Sequence, residues 1–275
     1  MADQTAIQNF VTILYERDDD VPGGILPPPW LDCPPKSTVL HNRLQRQLFM
    51  QLSEQLAFLY PEATLHVMTD LDIAVPDNVV RHYRKFPHEH LAKLELFGLL
   101  DVPAMYLDTD ILLLSRFSAA DLRSTCPYVM YSANHSFSWT ERRGLRPALR
   151  EHFTTTPPLV LPYLYNGGIV WIREPSRQLV DTLRDLCATY FDPQQIQSRF
   201  GFRISDEHAL TLLAFQQDWR MPECPHINVP WTSWARMPKA QTVHYSGWHL
   251  TSKQQCLADF SKTPTFSAKS AGTCL

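Results

Sequence analysis

The sequence lacks several features that would assign it to a well-known functional class. Its six cysteines form no Cys-x-x-Cys pair, which argues against a zinc ribbon. Lysine and arginine are scattered and the net charge is -3, which argues against a nucleic-acid partner. No window approaches the ~20 apolar residues of a membrane span, and the N-terminus does not resemble a secretory signal. We therefore expect a cytoplasmic protein without a membrane span.

The chain instead contains alternating strand-like and helix-like segments. Its 275 residues, 44% of them hydrophobic, suffice for one domain with a large core. Hydrophobic patterns predict strands at 9–15, 64–70, 104–114, 127–132, 163–172 and 242–245, and helices at 38–60, 90–100, 141–153, 175–190 and 206–215. This alternation predicts a single α/β domain with a mainly parallel central sheet flanked by helices. We expect the domain to cover residues 1–261 and a mobile tail to cover residues 262–275.

The strongest functional signal is a pair of aspartates inside the apolar run 104–114. Side chains alternate between the two faces of an extended chain, so Asp108 and Asp110 are predicted to point the same way. Two carboxylates held together repel each other and are costly to remove from water. Mg²⁺ and Mn²⁺ prefer oxygen ligands, so a cation between the carboxylates would relieve both costs. The motif therefore favours a metal and phosphate site over a solvent-facing turn.

Three function classes remain compatible with an apolar strand followed by Asp-x-Asp. The first is a phosphatase of the haloacid-dehalogenase type, with Asp108 as nucleophile. Its motif normally lies near the N-terminus and continues with Thr or Val where this chain has Ile111. The second is a glycosyltransferase that binds the diphosphate of a nucleotide sugar through a metal. The third is a non-catalytic protein that binds a sugar or a nucleotide.

Two further motifs have both a functional and a structural interpretation. Asn166-Gly167-Gly168 lies inside a predicted strand, where glycine weakens the structure and indicates close approach of another group. A sugar ring with its hydroxyls bonded to the Asn166 amide would explain it, and so would a β-bulge. Asp206 opens a predicted helix. It could bind donor-sugar hydroxyls or face the reacting carbon, or it could simply stabilise the helix N-terminus.

The order of these motifs resembles that of GT-A-fold glycosyltransferases, nearest to the glycogenin-like and bacterial lipopolysaccharide galactosyltransferase family (glycosyltransferase family 8-like). The resemblance rests on Lys93, then Tyr106-Leu107-Asp108-Thr109-Asp110, then Tyr165-Asn166-Gly167-Gly168, then Asp206-Glu207, then His244 with Gly247. The chain departs from the family at two positions. Glu207 replaces a glutamine, and Leu250 occupies the place of a late lysine, whereas Lys253 follows three residues later.

The resemblance implies a GT-A-like domain that transfers sugar from a nucleotide-sugar donor, above all a UDP-sugar, with retention at the anomeric carbon. It implies Mn²⁺ or Mg²⁺ as cofactor, held by Asp108, Asp110 and His244, with Asp206 and Asn166 as catalytic residues. The metal would neutralise charge on the leaving diphosphate. Predicted donor-binding residues also include Tyr15, Asp70, Lys93, Thr109, Gly167, Gly168 and Gly247. The acceptor could be a glycan, a protein or a small molecule.

Overall fold

The computed structural model describes residues 7–15, 38–85, 89–131, 166–190, 206–219, 221–222, 224, 226–237, 239–245 and 250–263. The predicted helix at 141–153, the glycine at 247 and nearly all of the predicted tail lie outside these residues. Within the described ranges, no helix is both long enough and apolar enough to cross a membrane.

The elements follow one another in an order that largely matches the predicted alternation. They are β1 (Asn9–Leu14), α1 (Thr38–Leu59), β2 (Thr64–Thr69), β3 (Val79–Tyr83), a 3-10 helix (Glu89–Gly98), β4 (Ala104–Leu107), β5 (Ile111–Leu113), β6 (Tyr128–Met130), β7 (Ile169–Ile172), α2 (Arg177–Tyr190), α3 (Asp206–Gln216), β8 (Val229–Pro230), a short 3-10 helix (Trp234–Arg236), β9 (Thr242–His244) and α4 (Leu250–Lys262).

The strands form a large mixed sheet and a small one. The large sheet has six strands in the order β3-β2-β1-β4-β7-β6, and the small sheet has three in the order β5-β9-β8. The strands β3, β2, β1 and β4 run parallel, whereas β7 is antiparallel to both β4 and β6. The start of β7 therefore lies at the same sheet edge as the carboxyl end of β4. This arrangement confirms the predicted α/β domain with a mainly parallel sheet.

Helix α1 connects the two sheets through leucines spaced four residues apart. Leu52 and Leu56 are buried in the main core with β1 and β2. Leu48 instead belongs to a second cluster with Leu112 of β5 and Val243 of β9. The leucines whose spacing predicted an amphipathic helix therefore pack against both the large sheet and the small one.

The predicted single strand at 104–114 is wrong, because the chain turns after Leu107. Residues 108–110 lie between β4 and β5, and the Ile111 N–H donates to the Asp108 carbonyl oxygen at 3.3 Å. β4 lies in the large sheet and β5 in the small one. The two aspartates are thus brought together by a turn between sheets and not by strand alternation. The turn is nevertheless not solvent-facing, since Thr109 and Asp110 are each only 7% exposed.

Three other elements differ from the sequence prediction for identifiable reasons. Gly167 and Gly168 form a turn that precedes β7, so they are not inside a strand. β3 was not predicted, because it is an edge strand in which only Val79 is buried. α4 was not predicted either, because the residues it buries include Ser252, Lys253 and Cys256, which give no apolar periodicity.

Candidate active site

Three predicted metal ligands converge where β4 ends and the small sheet begins. β5 pairs with β9 so that Ile111 lies opposite His244, and this register places the imidazole beside the turn with both aspartates. The His244 Nε2 atom lies 3.6 Å from Asp108 Oδ2 and 3.4 Å from Asp110 Oδ1. One ligand atom from each residue lies within 4.8 Å of the others. A cation with ligand bonds of ~2.0–2.6 Å fits between atoms at this spacing.

The hydrogen bonds of His244 fix the tautomer that a metal ligand requires. Its Nδ1 atom lies 2.9 Å from Asn228 Oδ1. The Asn228 amide nitrogen donates to the Asn166 side-chain oxygen and to the Tyr131 carbonyl oxygen, so the Asn228 oxygen must face the imidazole as an acceptor. The Nδ1–H group is therefore the donor, and the lone pair of Nε2 faces the two carboxylates.

Asn228 belongs to the candidate site, although the sequence did not reveal it. It is 1% exposed and has a φ of 58°, in the left-handed region that asparagine adopts more readily than most residues. No motif marks it, and its role follows only from its contacts with Asn166 and His244. The Asn166 side-chain oxygen also accepts from the Gly168 N–H at 2.9 Å. Asn166 thus orients the Asn228 amide, and through it the His244 imidazole.

The two glycines leave space for protein side chains. A Cβ atom on Gly168 would lie 2.3 Å from His244 Cε1, and one on Gly167 would lie 2.8 Å from Asp206 Oδ2. The Gly168 carbonyl oxygen also accepts from the Asp108 N–H at 2.8 Å. The close approach that the glycine pair predicted is therefore made by His244 and Asp206. A sugar contact of Asn166 would have to use its NH₂ group, since its oxygen already accepts two hydrogen bonds.

Lys93 is a partly buried cation between two carboxylates. Its Nζ atom lies 3.0 Å from Asp108 Oδ1 and 3.4 Å from Asp206 Oδ2. The Tyr106 hydroxyl also donates to Asp108. Burial opposes the charge on Lys93, but Asp108 and Asp206 outweigh it and hold its pKa well above the ordinary value. Lys93 is thus a permanent positive charge beside the predicted metal ligands.

The first turn of α3 supplies two acidic groups on the other side of Lys93. Asp206 Oδ2 is buried without a hydrogen-bond partner, although the Lys93 ammonium lies near it. Burial raises the pKa of Asp206, with Lys93 opposing the shift. Glu207 accepts from the Gly167 N–H at 2.8 Å. Burial, followed by the neighbouring Asp206 charge, raises the pKa of Glu207 to about 7.

A second lysine, which is buried, pairs with Asp110. Lys253 of α4 is 4% exposed, and its Nζ atom lies 3.0 Å from Asp110 Oδ2. Burial would raise the pKa of Asp110, but its charged surroundings, above all the Lys253 ammonium, lower it below the usual range. Sequence comparison left Lys253 without a role. The structure gives it a specific partner, which the sequence could not show because α4 itself was not predicted.

Three other predicted donor-binding residues have different surroundings. The Thr109 hydroxyl donates to Gln45 Oε1 of α1 at 2.7 Å, which ties the turn to that helix. Tyr15 follows β1 and packs against the main core. Asp70 is exposed after β2, and β1 lies between β2 and β4, so its backbone is about 10 Å from the end of β4. Gly247 lies outside the described residues.

The charges in this cluster suit a divalent cation. Among the described residues, three carboxylates, those of Asp108, Asp110 and Asp206, are paired with two lysine ammonium groups, those of Lys93 and Lys253. Two carboxylates and one imidazole form a donor set that Mn²⁺ accepts readily, and Mg²⁺ shares the preference for oxygen. The geometry and the charge therefore both fit a bound metal ion at Asp108, Asp110 and His244.

Comparison with known proteins places the fold near solved glycosyltransferases. No protein-family model and no curated protein matches the chain. The galactosyltransferase LgtC, solved with donor and acceptor sugar analogues, is 13% identical over 92% of this chain and 96% of its own, with a TM-score of 0.49. An active-site variant of LgtC with glutamine changed to glutamate is 12% identical over the same shares, with a TM-score of 0.50.

The glycosyltransferase GlyE of Streptococcus pneumoniae TIGR4 gives a similar result. It is 10% identical over 95% of this chain, with a TM-score of 0.53, and the match covers 63% of the GlyE chain. Identities this low show the fold alone. The predicted resemblance to GT-A-fold glycosyltransferases is thus confirmed at the level of the fold.

Proposed function

We propose that this protein is a metal-dependent glycosyltransferase that uses a nucleotide-sugar donor, above all a UDP-sugar. One observation carries the proposal: Asp108, Asp110 and His244 each offer a ligand atom within 4.8 Å of the others, at the carboxyl end of β4 in a fold similar to that of solved glycosyltransferases. The fold alone would not suffice, since one fold supports many functions. The acceptor is a glycan, a protein or a small molecule.

Each residue of the site has a defined part in this proposal. Asp108, Asp110 and the Nε2 atom of His244 would hold Mn²⁺ or Mg²⁺. A cation bound there would supply positive charge to the leaving diphosphate. Lys93 adds a permanent positive charge beside Asp108, and Asn228 keeps the imidazole in the required tautomer.

Asp206 and Asn166 are the proposed contacts to the transferred sugar. The buried Oδ2 atom of Asp206 forms an ion pair with Lys93 at 3.4 Å but accepts no hydrogen bond, and a sugar hydroxyl could donate one to it. Retention at the anomeric carbon is part of the proposal by analogy with the resembling family. Asp206 is the proposed group nearest the reacting carbon, and a front-face displacement would need no protein nucleophile.

A nucleotide-sugar assay tests the proposal. The protein is incubated with a panel of nucleotide sugars and Mn²⁺, and release of nucleoside diphosphate is measured. We expect release with at least one donor, and we expect EDTA or Asp110→Asn to abolish it. Asp101→Asn, a change at an exposed aspartate, serves as the matched control and should retain full release.

Two outcomes would contradict the proposal. Cleavage of simple phosphate esters with phosphorylation of Asp108 would indicate a phosphatase of the haloacid-dehalogenase type. Tight binding of nucleotide sugars, with no release in the presence of any acceptor glycan, protein or small molecule, would indicate a non-catalytic binding protein.

The Asp108 carboxylate already bonds Tyr106 and Lys93, which makes it a poorer nucleophile than an unpaired carboxylate.

A further inference from the structure

The candidate metal site contains a cation that belongs to the chain itself. The Lys253 ammonium lies 3.0 Å from Asp110 Oδ2, and both residues are buried, at 4% and 7% exposure. The lysine is not on a flexible loop. It projects from α4, which packs against α1 and β5 and buries Ser252 and Cys256 beside it.

The two oxygens of Asp110 face different cationic positions. Oδ1 lies 3.4 Å from His244 Nε2, on the side where a metal would bind, whereas Oδ2 lies 3.0 Å from the Lys253 ammonium. A metal held by Oδ1 would therefore share one carboxylate with the lysine. Two cations on one buried carboxylate repel each other strongly, because little water lies between them to screen the charges.

We propose that Lys253 is an internal counter-cation that lowers the affinity of the Asp108–Asp110–His244 site for a divalent metal. This proposal rests on the proposed metal-dependent function. With Lys253 present, the carboxylates of Asp108, Asp110 and Asp206 face two ammonium groups, which leaves one net negative charge before Glu207 is counted. Without it, the same cluster has two net negative charges. The site is thereby stable without metal, and a cation binds firmly only when a further anionic ligand contributes charge.

If the Lys253–Asp110 ion pair were purely structural, removal of Lys253 would not strengthen metal binding. If Lys253 only fastened α4 to the turn, its removal would loosen Asp110 and would weaken metal binding or leave it unchanged. If Lys253 competes with the metal, its removal strengthens binding. The sign of the change in affinity therefore separates the two roles.

The test is a calorimetric titration of the full chain with Mn²⁺ alone, checked by electron paramagnetic resonance of unbound Mn²⁺. The variant Lys253→Gln removes the charge and keeps a donor for Asp110. We expect its Kd to fall at least tenfold relative to the unmodified chain. Lys262→Gln is the matched control, because Lys262 lies on the same helix with 70% side-chain exposure, and its Kd should not change.

Two further variants guard against misfolding of Lys253→Gln and against metal binding at another site. Lys253→Met is the second variant if circular dichroism shows that Lys253→Gln does not fold, and the same tenfold fall is expected. Adding Asp108→Asn to Lys253→Gln should abolish the gain, which locates the metal. An unchanged or higher Kd in the folded Lys253 variant overturns the inference, and so does an absence of Mn²⁺ binding in every variant.

This test does not depend on sugar transfer. If no nucleotide sugar is turned over but Lys253→Gln still tightens Mn²⁺ binding, the inference stands and the proposed glycosyltransferase function fails. If transfer occurs but removal of Lys253 does not tighten binding, the inference alone is wrong.

Discussion

At the scale of single residues, Gly168 sets the position of the His244 imidazole. A methyl group there would lie 2.3 Å from His244 Cε1 and 2.7 Å from Nδ1, and the ring is held by its bond to Asn228. We expect Gly168→Ala to lower the free energy of unfolding by about 1–3 kcal/mol through overpacking, and to weaken Mn²⁺ binding. Urea unfolding and calorimetric titration measure the two effects.

Gly98→Ala is the control for that change. A Cβ atom on Gly98 would lie 3.0 Å from Arg177 Cδ and 3.1 Å from Cγ2 of the buried Val180, so Gly98→Ala should also lower the free energy of unfolding. Gly98 makes no close approach to His244, so its alanine variant should bind Mn²⁺ normally. If Gly168→Ala also binds Mn²⁺ normally, or if both variants weaken binding equally, the close approach to His244 is not what requires glycine.

Glu207 should make the stability of the metal-free protein depend on pH. Its carboxyl has an ordinary pKa of 4.5, which burial and then the Asp206 charge raise to about 7 in the folded protein. The folded state therefore binds this proton more tightly than the unfolded state does. The stability that it contributes is fully present below pH 4.5 and is lost as the pH rises through about 7.

Glu207→Gln tests this pH dependence. Glutamine keeps an oxygen for the Gly167 N–H and cannot ionise. At pH 8 we expect the variant to be more stable than the unmodified chain by about 1–3 kcal/mol, with little difference at pH 4.5. Urea unfolding across this range measures the effect, and Glu54→Gln at an exposed position of α1 is the control. Equal pH dependence in variant and parent would show that Glu207 is not held protonated.

The sequence alone predicted most of the residues in this cluster, but it did not predict the roles of Asn228 and Lys253. Asp108, Asp110, Asp206 and His244 stand in motifs whose chemistry can be recognised from residue type and order. Asn228 and Lys253 belong to no motif. Their roles depend on which side chains the fold brings beside them, and a single sequence does not contain that information.

At the scale of elements, α1 supports the site through the small sheet. Leu48 packs with Leu112 of β5 and Val243 of β9, the strands that flank Asp110 and end at His244. Leu48→Ala should leave a cavity in this cluster and lower the free energy of unfolding by about 2–5 kcal/mol. Chemical denaturation measures the loss.

Met50→Ala on the same helix is the matched control. Met50 is 41% exposed, so its truncation should cost less than about 1 kcal/mol. Mn²⁺ affinity should fall in Leu48→Ala and not in Met50→Ala, because only Leu48 supports the strands that carry the ligands. Equal losses of stability in the two variants would show that the second cluster contributes little.

The errors in predicting elements have a common physical origin. An apolar run such as 104–114 is expected both from one buried strand and from two short strands joined by a buried turn. The pattern cannot distinguish them, because the turn at Asp108 and Asp110 is stabilised by charges and bonds from distant segments. Likewise, α4 buries Lys253, whose partner Asp110 is 143 residues away in the sequence.

At the scale of the whole molecule, the site exists only when the domain is folded. Its side chains come from the first 3-10 helix, the turn after β4, α3, β9 and α4, and they span residues 93 to 253. An unfolded chain could not hold these groups together, since the entropy lost on closing such long loops would be unopposed. A metal bound at this site therefore binds the folded state alone and must stabilise the whole domain.

This linkage gives a prediction for thermal unfolding. At an Mn²⁺ concentration about 100 times Kd, the added stability is about 2.7 kcal/mol. In a domain of this size each kcal/mol shifts Tm by about 2–4 °C, so we expect a rise of about 5–10 °C. The double variant Asp108→Asn/Asp110→Asn should show no rise, because it lacks both carboxylate ligands. A rise that persists in the double variant would place the metal elsewhere on the molecule, and no rise in the unmodified chain at that concentration would show that binding is not coupled to folding.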